Sequence, residues 1–221
     1  MVEPQYGVRY ERSVRIPMPD GITLAADFFY PDAPGQFPLV FDYYPYRKSD
    51  SDWRAFTLHR YFAERGFVAA RLDVRGSGDS EGTALDEYCP QEQVDGVAAI
   101  EWMARQPWCT GNVGMFGASY GGFNSLQVAM QRPPALKAIV PMMFTDRRYT
   151  DDCHYKGGAL QMLYDVTPGP HPRRSRAGST TEQSGPHGWS CPASCPPPSP
   201  FHLLTWRRHR PMGTQTAGRI G

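Results

Sequence analysis

The chain has 221 residues, enough for one good-sized domain or for a domain with an appendage, and a formal net charge of +1. That balance leaves no electrostatic footprint for nucleic acid or a membrane surface. No apolar run reaches bilayer-spanning length, residues 1–14 lack the apolar stretch of a secretory signal, and five cysteines at irregular spacing make no disulfide framework, so a cytoplasmic protein is expected.

Residues 13–17 and 22–30 are apolar-rich runs joined by Pro19-Asp20-Gly21, which predicts an antiparallel hairpin. Residues 37–43 read as a buried strand. From 54 to 65 the residues Phe56, Leu58, Tyr61 and Phe62 recur at near-helical spacing, and Gly66 ends that helix. A strand at 67–74 follows, then an amphipathic helix at 94–103 that Pro107 stops. A short strand at 113–116, a helix at 120–130 and a strand at 136–142 complete the pattern. A hairpin followed by β-α-β-α-β-α-β predicts an α/β fold, with a mostly parallel sheet and helices on both faces.

Beyond about residue 165 the composition changes. Residues 167–221 hold ten prolines, seven arginines, no lysine and a single acidic residue, Glu182. Proline at that density excludes regular structure, and the segment carries too little apolar surface to offset its ordering entropy. The expectation is a core at 1–145, the start of a further segment at 146–165 and a disordered tail at 166–221. The abrupt shift in composition fits translation of a GC-rich coding sequence in a wrong frame.

The strand at 113–116 runs into Gly117-Ala118-Ser119-Tyr120-Gly121-Gly122 and then a helix. This is the G-x-S-x-G nucleophile elbow in the strand-turn-helix context it requires. The serine must occupy a strained backbone conformation, and Gly117, Gly121 and Gly122 keep strand and helix from colliding. The backbone N–H of Tyr120 then points at a developing oxyanion near the helix N-terminus. The bland alternative, an incidental serine in a glycine-rich turn, leaves that placement unexplained.

Three tyrosines, Tyr43, Tyr44 and Tyr46, mark the end of the third strand, where such a fold takes its second oxyanion donor. Taken alone, they read as strand-end packing. The stretch Asp73-Val74-Arg75-Gly76-Ser77-Gly78-Asp79-Ser80-Glu81-Gly82 misplaces the third glycine of a dinucleotide fingerprint by one position and surrounds it with acids. It reads as a structural loop. Cys191, Cys195 and His202 match no common zinc spacing, and Cys89, Cys109 and Cys153 read as ordinary thiols, so neither a metal nor an organic cofactor is expected.

Together these motifs resemble the cocaine-esterase-like and X-prolyl dipeptidyl-peptidase family of α/β-hydrolases, over residues 10–165. The 117–122 segment resembles that family's nucleophile motif. Pro45-Tyr46 with nearby Lys48 resembles its oxyanion-tyrosine motif, which singles out Tyr46, and Asp73 to Gly82 is similar to its loop after the fourth strand. The resemblance implies an α/β-hydrolase fold, incomplete at the C-terminal end, and a helical cap beginning at 146–165. It also implies an acyl-enzyme on Ser119, with oxyanion donors at the Tyr120 N–H and the Tyr46 hydroxyl. The substrate would be a small ester, an amide or a short peptide, without nucleic acid or membrane; the oligomeric state is left open.

The family places its catalytic acid and histidine downstream of the cap, and no matching motif follows residue 165. His59 falls in the first helix and His154 in the cap start, while His171, His187, His202 and His209 fall in the tail; Asp146, Asp151 and Asp152 follow the sixth strand. The alternative reading is therefore an inactive fragment or a non-catalytic binding scaffold.

Overall fold

The computed structural model describes residues 3–50 and 53–160. The tail at 166–221, with its histidines and the Cys191/Cys195/His202 group, lies outside the described residues, as do the last residues of the expected cap, 161–165.

Six strands form one sheet: β1 (Val8–Pro17), β2 (Thr23–Pro31), β3 (Phe37–Tyr44), β4 (Val68–Asp73), β5 (Cys109–Ala118) and β6 (Leu136–Met142). Their spatial order is β1-β2-β4-β3-β5-β6. β1 and β2 pair antiparallel, as does β2 with β4, whereas β4–β3, β3–β5 and β5–β6 are parallel. The helices are α1 (Trp53–Ala63), α2 (Pro90–Ala104) and α3 (Tyr120–Met130).

Period-2 alternation along the strands sorts side chains between two faces. Phe28, Leu39, Phe41, Tyr43, Val68 and Ala70 join a buried cluster with Ala99, Ile100 and Met103 of α2 and Val128 of α3. Their neighbours Phe29, Val40 and Ala69 turn the other way, against Phe62 and Ala63 of α1. Helices therefore cover both faces, as the pattern predicts. The parallel strands β3 to β6 all end on one rim, where ligands bind in open α/β sheets.

The elements match the sequence reading in kind and differ at some ends. α3 and β6 begin and end where predicted. β1 starts at Val8 rather than Ser13, because a bulge between Glu11 and Val14, with Ser13 at φ 50°, breaks the alternation that marks a strand. β5 starts at Cys109, four residues early, since Gly111 and Gly114 dilute its apolar signal. α2 starts at Pro90 as its first helical residue, with Glu92 and Asp95 buried where periodicity asks for apolar residues. In the segment expected to open a helical cap, the described residues 146–160 form turns and a two-residue hairpin, β7 (Tyr155–Lys156) with β8 (Ala159–Leu160). Gly157 and Gly158, at φ 56° and 84°, supply the positive φ angles its tight turn demands. No described helix is long and apolar enough to cross a membrane.

Phe41 lies at the centre of the sheet, fully buried between β4 and β5. Phe41→Ala is expected to lower stability by about 3–5 kcal/mol in urea unfolding. Leu85→Ala, at an exposed loop position, should stay within about 0.5 kcal/mol of the parent chain.

Candidate active site

Ser119 stands between β5 and α3 with φ 56° and ψ −119°, a region costly for any residue bearing a Cβ. The surrounding backbone holds it there. Its N–H donates to Met142 O at the end of β6 (3.0 Å), and its carbonyl accepts from the N–H groups of Gly122 (2.9 Å) and Phe123 (3.1 Å). The Tyr120 N–H stands at the first helical position of α3, where a backbone N–H has no intrahelical acceptor.

The three glycines of the elbow are not equivalent. A Cβ on Gly117 would lie 2.6–2.8 Å from the backbone of Gly121, and one on Gly122 would lie 2.5 Å from Met142 O. Both contacts are with backbone that cannot retreat. A Cβ on Gly121 meets nothing nearer than 3.8 Å. Close passage of α3 past the ends of β5 and β6 thus demands glycine at 117 and 122 and leaves room at 121.

The three tyrosines after β3 separate cleanly. Tyr43 is buried in the core. The Tyr44 hydroxyl accepts hydrogen bonds from Arg71 Nη2 (2.8 Å) and Nε (3.2 Å). Tyr46, 46% exposed, brings its hydroxyl to Ser119 Oγ at 3.3 Å. Packing accounts for the first two, and only Tyr46 reaches the serine.

The Tyr120 side chain turns inward, away from the surface. Its hydroxyl donates to Glu92 Oε1 (2.8 Å) and accepts from the Tyr88 N–H (2.9 Å), and its ring stacks on Tyr88 with centroids 4.1 Å apart. Glu92, on the first turn of α2, was not singled out by the sequence reading. An acid among apolar helix positions is ordinarily solvent-facing, and nothing local signals its burial. Burial pushes its carboxyl up to about 7, against the opposing hydrogen bonds from Tyr120 and Asn124. Glu92 Oε2 and the Tyr43 hydroxyl are buried without hydrogen-bond partners.

Two histidines fall among the described residues. His59 is fully buried with Nε2 3.1 Å from Asp42 Oδ1, and His154 Nε2 lies 3.2 Å from Glu87 Oε2. Asp151 bridges to Lys156, and Asp152 accepts from Arg148 Nε at 2.8 Å, so both serve the short hairpin segment. Among the described residues no group of three His, Cys, Asp or Glu side chains could hold a metal ion.

Two outcomes follow from this packing. Gly117→Ala and Gly122→Ala should each lower stability by about 1–3 kcal/mol, whereas Gly121→Ala should leave it unchanged or raise it by up to about 1 kcal/mol, measured by urea titration. The second concerns Glu92, whose folded value stands above its ordinary 4.5. The folded chain then binds the proton more tightly than the unfolded chain. The stabilising contribution is whole below about pH 4.5 and is lost as pH climbs through about 7, a loss of about 3 kcal/mol. Glu92→Gln, neutral throughout, should flatten that part of the stability–pH curve; parallel curves for the two chains would assign the slope to other groups.

Residues 20–168 match the family model described as X-Pro dipeptidyl-peptidase (S15 family). The chain is 36% identical over 166 residues to cocaine esterase of Rhodococcus sp. (strain MB1 Bresler), covering 73% of this chain and 28% of that protein. It is similar to the crystal structure of a CocE/NonD family hydrolase from Staphylococcus aureus, with TM-score 0.58 and 26% identity over 66% of this chain and 32% of that one. An α-amino acid ester hydrolase structure gives TM-score 0.60 and 27% identity, over 71% of this chain and 28% of that one. The chain spans less than a third of the length of each. These likenesses bear out the α/β-hydrolase fold and the family resemblance read from the three motifs. The chain belongs to the X-Pro dipeptidyl-peptidase (S15) family, a family of hydrolases, and its relatives include esterases and Xaa-Pro dipeptidyl-peptidases.

Proposed function

We propose that this chain carries the nucleophile and oxyanion-binding half of a serine hydrolase that cleaves small esters, amides or short peptides. One observation carries the reading. Ser119 is held in a strained turn between strand and helix, with the hydroxyl of Tyr46 3.3 Å from its Oγ. In the proposed reaction Ser119 Oγ attacks the substrate carbonyl carbon and loses its proton to a base, and the carbonyl oxygen becomes the oxyanion of a tetrahedral intermediate. The Tyr120 N–H and the Tyr46 hydroxyl donate to that oxygen. Collapse of the intermediate expels the alcohol or amine and leaves an acyl-enzyme, which water then hydrolyses.

Neither described histidine is assigned as the base, since His59 is buried against Asp42 and His154 faces Glu87. The resemblance puts the base and its acid after the cap segment. The second reading is a chain that keeps the scaffold without turnover; in a serine triad, removing the base costs on the order of a millionfold in kcat.

A fluorophosphonate probe distinguishes the two. The proposal expects modification at Ser119, abolished by Ser119→Ala and slowed by about 100- to 1,000-fold in Tyr46→Phe. Folded protein that stays unmodified, or that is modified equally well in the Ser119→Ala chain, supports the non-catalytic scaffold instead.

A further inference from the structure

Tyr46 lies on an exposed loop, yet the backbone on both sides of it is fastened to a second loop that follows β4. On the N-terminal side, the Val74 N–H donates to Tyr44 O (3.3 Å) and Ser77 Oγ donates to Pro45 O (2.5 Å). On the C-terminal side, the Lys48 N–H donates to Asp73 Oδ1 (2.6 Å). The Lys48 ammonium reaches back under the loop to Asp79 Oδ2 (2.5 Å) and Ser13 Oγ (3.2 Å), with Asp27 and Asp73 carboxylate oxygens at 3.5 Å. The Lys48 side chain is fully buried, and Arg47, between it and Tyr46, sits at φ 64°.

The second loop is itself folded tightly around Asp73. The Asp79 N–H donates to Asp73 Oδ2 (3.0 Å), Ser80 Oγ donates to Asp73 O (2.8 Å), and a Cβ on Gly78 would fall 2.1 Å from Asp73 Oδ2. A buried ammonium among three carboxylates contributes little net stability compared with apolar packing, because each charge must first be desolvated. What such a cluster does supply is a fixed register between the segments that contribute to it.

We propose that the loop from Asp73 to Asp79 is a clamp that holds the Tyr46 hydroxyl against Ser119, with Ser77 and Lys48 as positioning residues. The inference rests on the reading of Tyr46 as an oxyanion donor and adds to it the means by which an exposed side chain is preorganised. Neither positioning residue touches the substrate. Each acts by fixing the backbone on one side of residue 46, and a displacement of about 1 Å at a reacting group can cost about 100-fold in rate.

The test uses the full chain with 3-fluorotyrosine incorporated at position 46 and, as a control, at position 30 on β2. The clamp expects Ser77→Ala to move the residue-46 fluorine resonance toward that of free fluorotyrosine, to leave the residue-30 resonance in place, and to be rescued by Ser77→Thr. Lys48→Met should shift the same resonance; if that variant does not fold, Ser77→Ala, which deletes a single hydroxyl, carries the test alone. A residue-46 resonance unchanged in a chain whose Tm has fallen overturns the clamp and leaves a structural role only.

The kinetic arm is fluorophosphonate modification of Ser119. It should slow by about 100-fold in Ser77→Ala and slow no further when Ser77→Ala is added to Tyr46→Phe; additive losses count against the clamp. If no variant is modified at Ser119, the proposed hydrolase reading falls, and the fluorine resonance still decides whether the clamp exists.

Discussion

The hydrogen bond from the Ser119 N–H to Met142 O is the constraint on which the site depends. A serine at φ 56° and ψ −119° carries a local penalty of about 1–3 kcal/mol, and such a residue persists only where its surroundings leave no alternative. Here β5 is paired by β3 as far as Met115 and by β6 on to Ala118, at the elbow itself. The first turn of α3 then captures the Ser119 carbonyl. Glycine at 117 and at 122 lets these backbones approach within distances that a Cβ would forbid. The strain is set by the sheet and the helix together, and the exposed Oγ is its consequence.

Around this turn the rim of the sheet is stiffened by polar groups, while its interior is apolar. Lys48 meets Asp79, Asp73 and Asp27 on one side of the elbow. Arg75 grips Asp95 through two bonds of 2.7 Å and reaches Asp20 with a third. Glu92 holds the Tyr120 hydroxyl at the start of α3. The first two tie a loop to a helix or strand and the third ties α2 to α3, each a contact that apolar packing alone would hold in a less defined register. Withdrawing the Lys48 ammonium would leave the buried Asp27 and Asp73 carboxylates without their cation, so the cost of disorder there is high even where net stabilisation is small.

Much of the fold was legible because local pattern and global topology agree. The 120–130 helix and the 136–142 strand follow from uninterrupted apolar spacing between clear breakers, and the elbow follows from a motif whose context is checkable in the sequence. The glycines within β5 and the bulge within β1 blur the period on which strand reading rests, so those strands came out short. At the site, spacing cannot choose among Tyr43, Tyr44 and Tyr46, because all three are aromatic residues at a strand end; in the folded chain it is the Tyr46 hydroxyl that lies 3.3 Å from Ser119 Oγ. Burial of Lys48 and Glu92 left no trace in the sequence. The partners of Lys48 lie 21 to 35 positions away and the Tyr120 partner of Glu92 lies 28 away, so only the folded chain reveals that these groups face inward.

The two edges of the sheet obey opposite chemistries. β1 exposes Arg9, Glu11 and Arg12, and charge on an edge strand makes further pairing there costly in desolvation. β6 exposes Val140 and Met142, and the chain beyond it exposes Met143 and Phe144, with Lys137 the one charged residue within the strand. Among the described residues β6 takes β5 as its sole partner. Extending the sheet at β1 would bury charge, whereas covering β6 would remove apolar surface from water at about 25 cal/mol per Å². The acceptor of the Ser119 N–H lies on this apolar edge strand. Order in β6 therefore reaches the strained turn through this hydrogen bond, beside the hold that the first turn of α3 keeps on the Ser119 carbonyl.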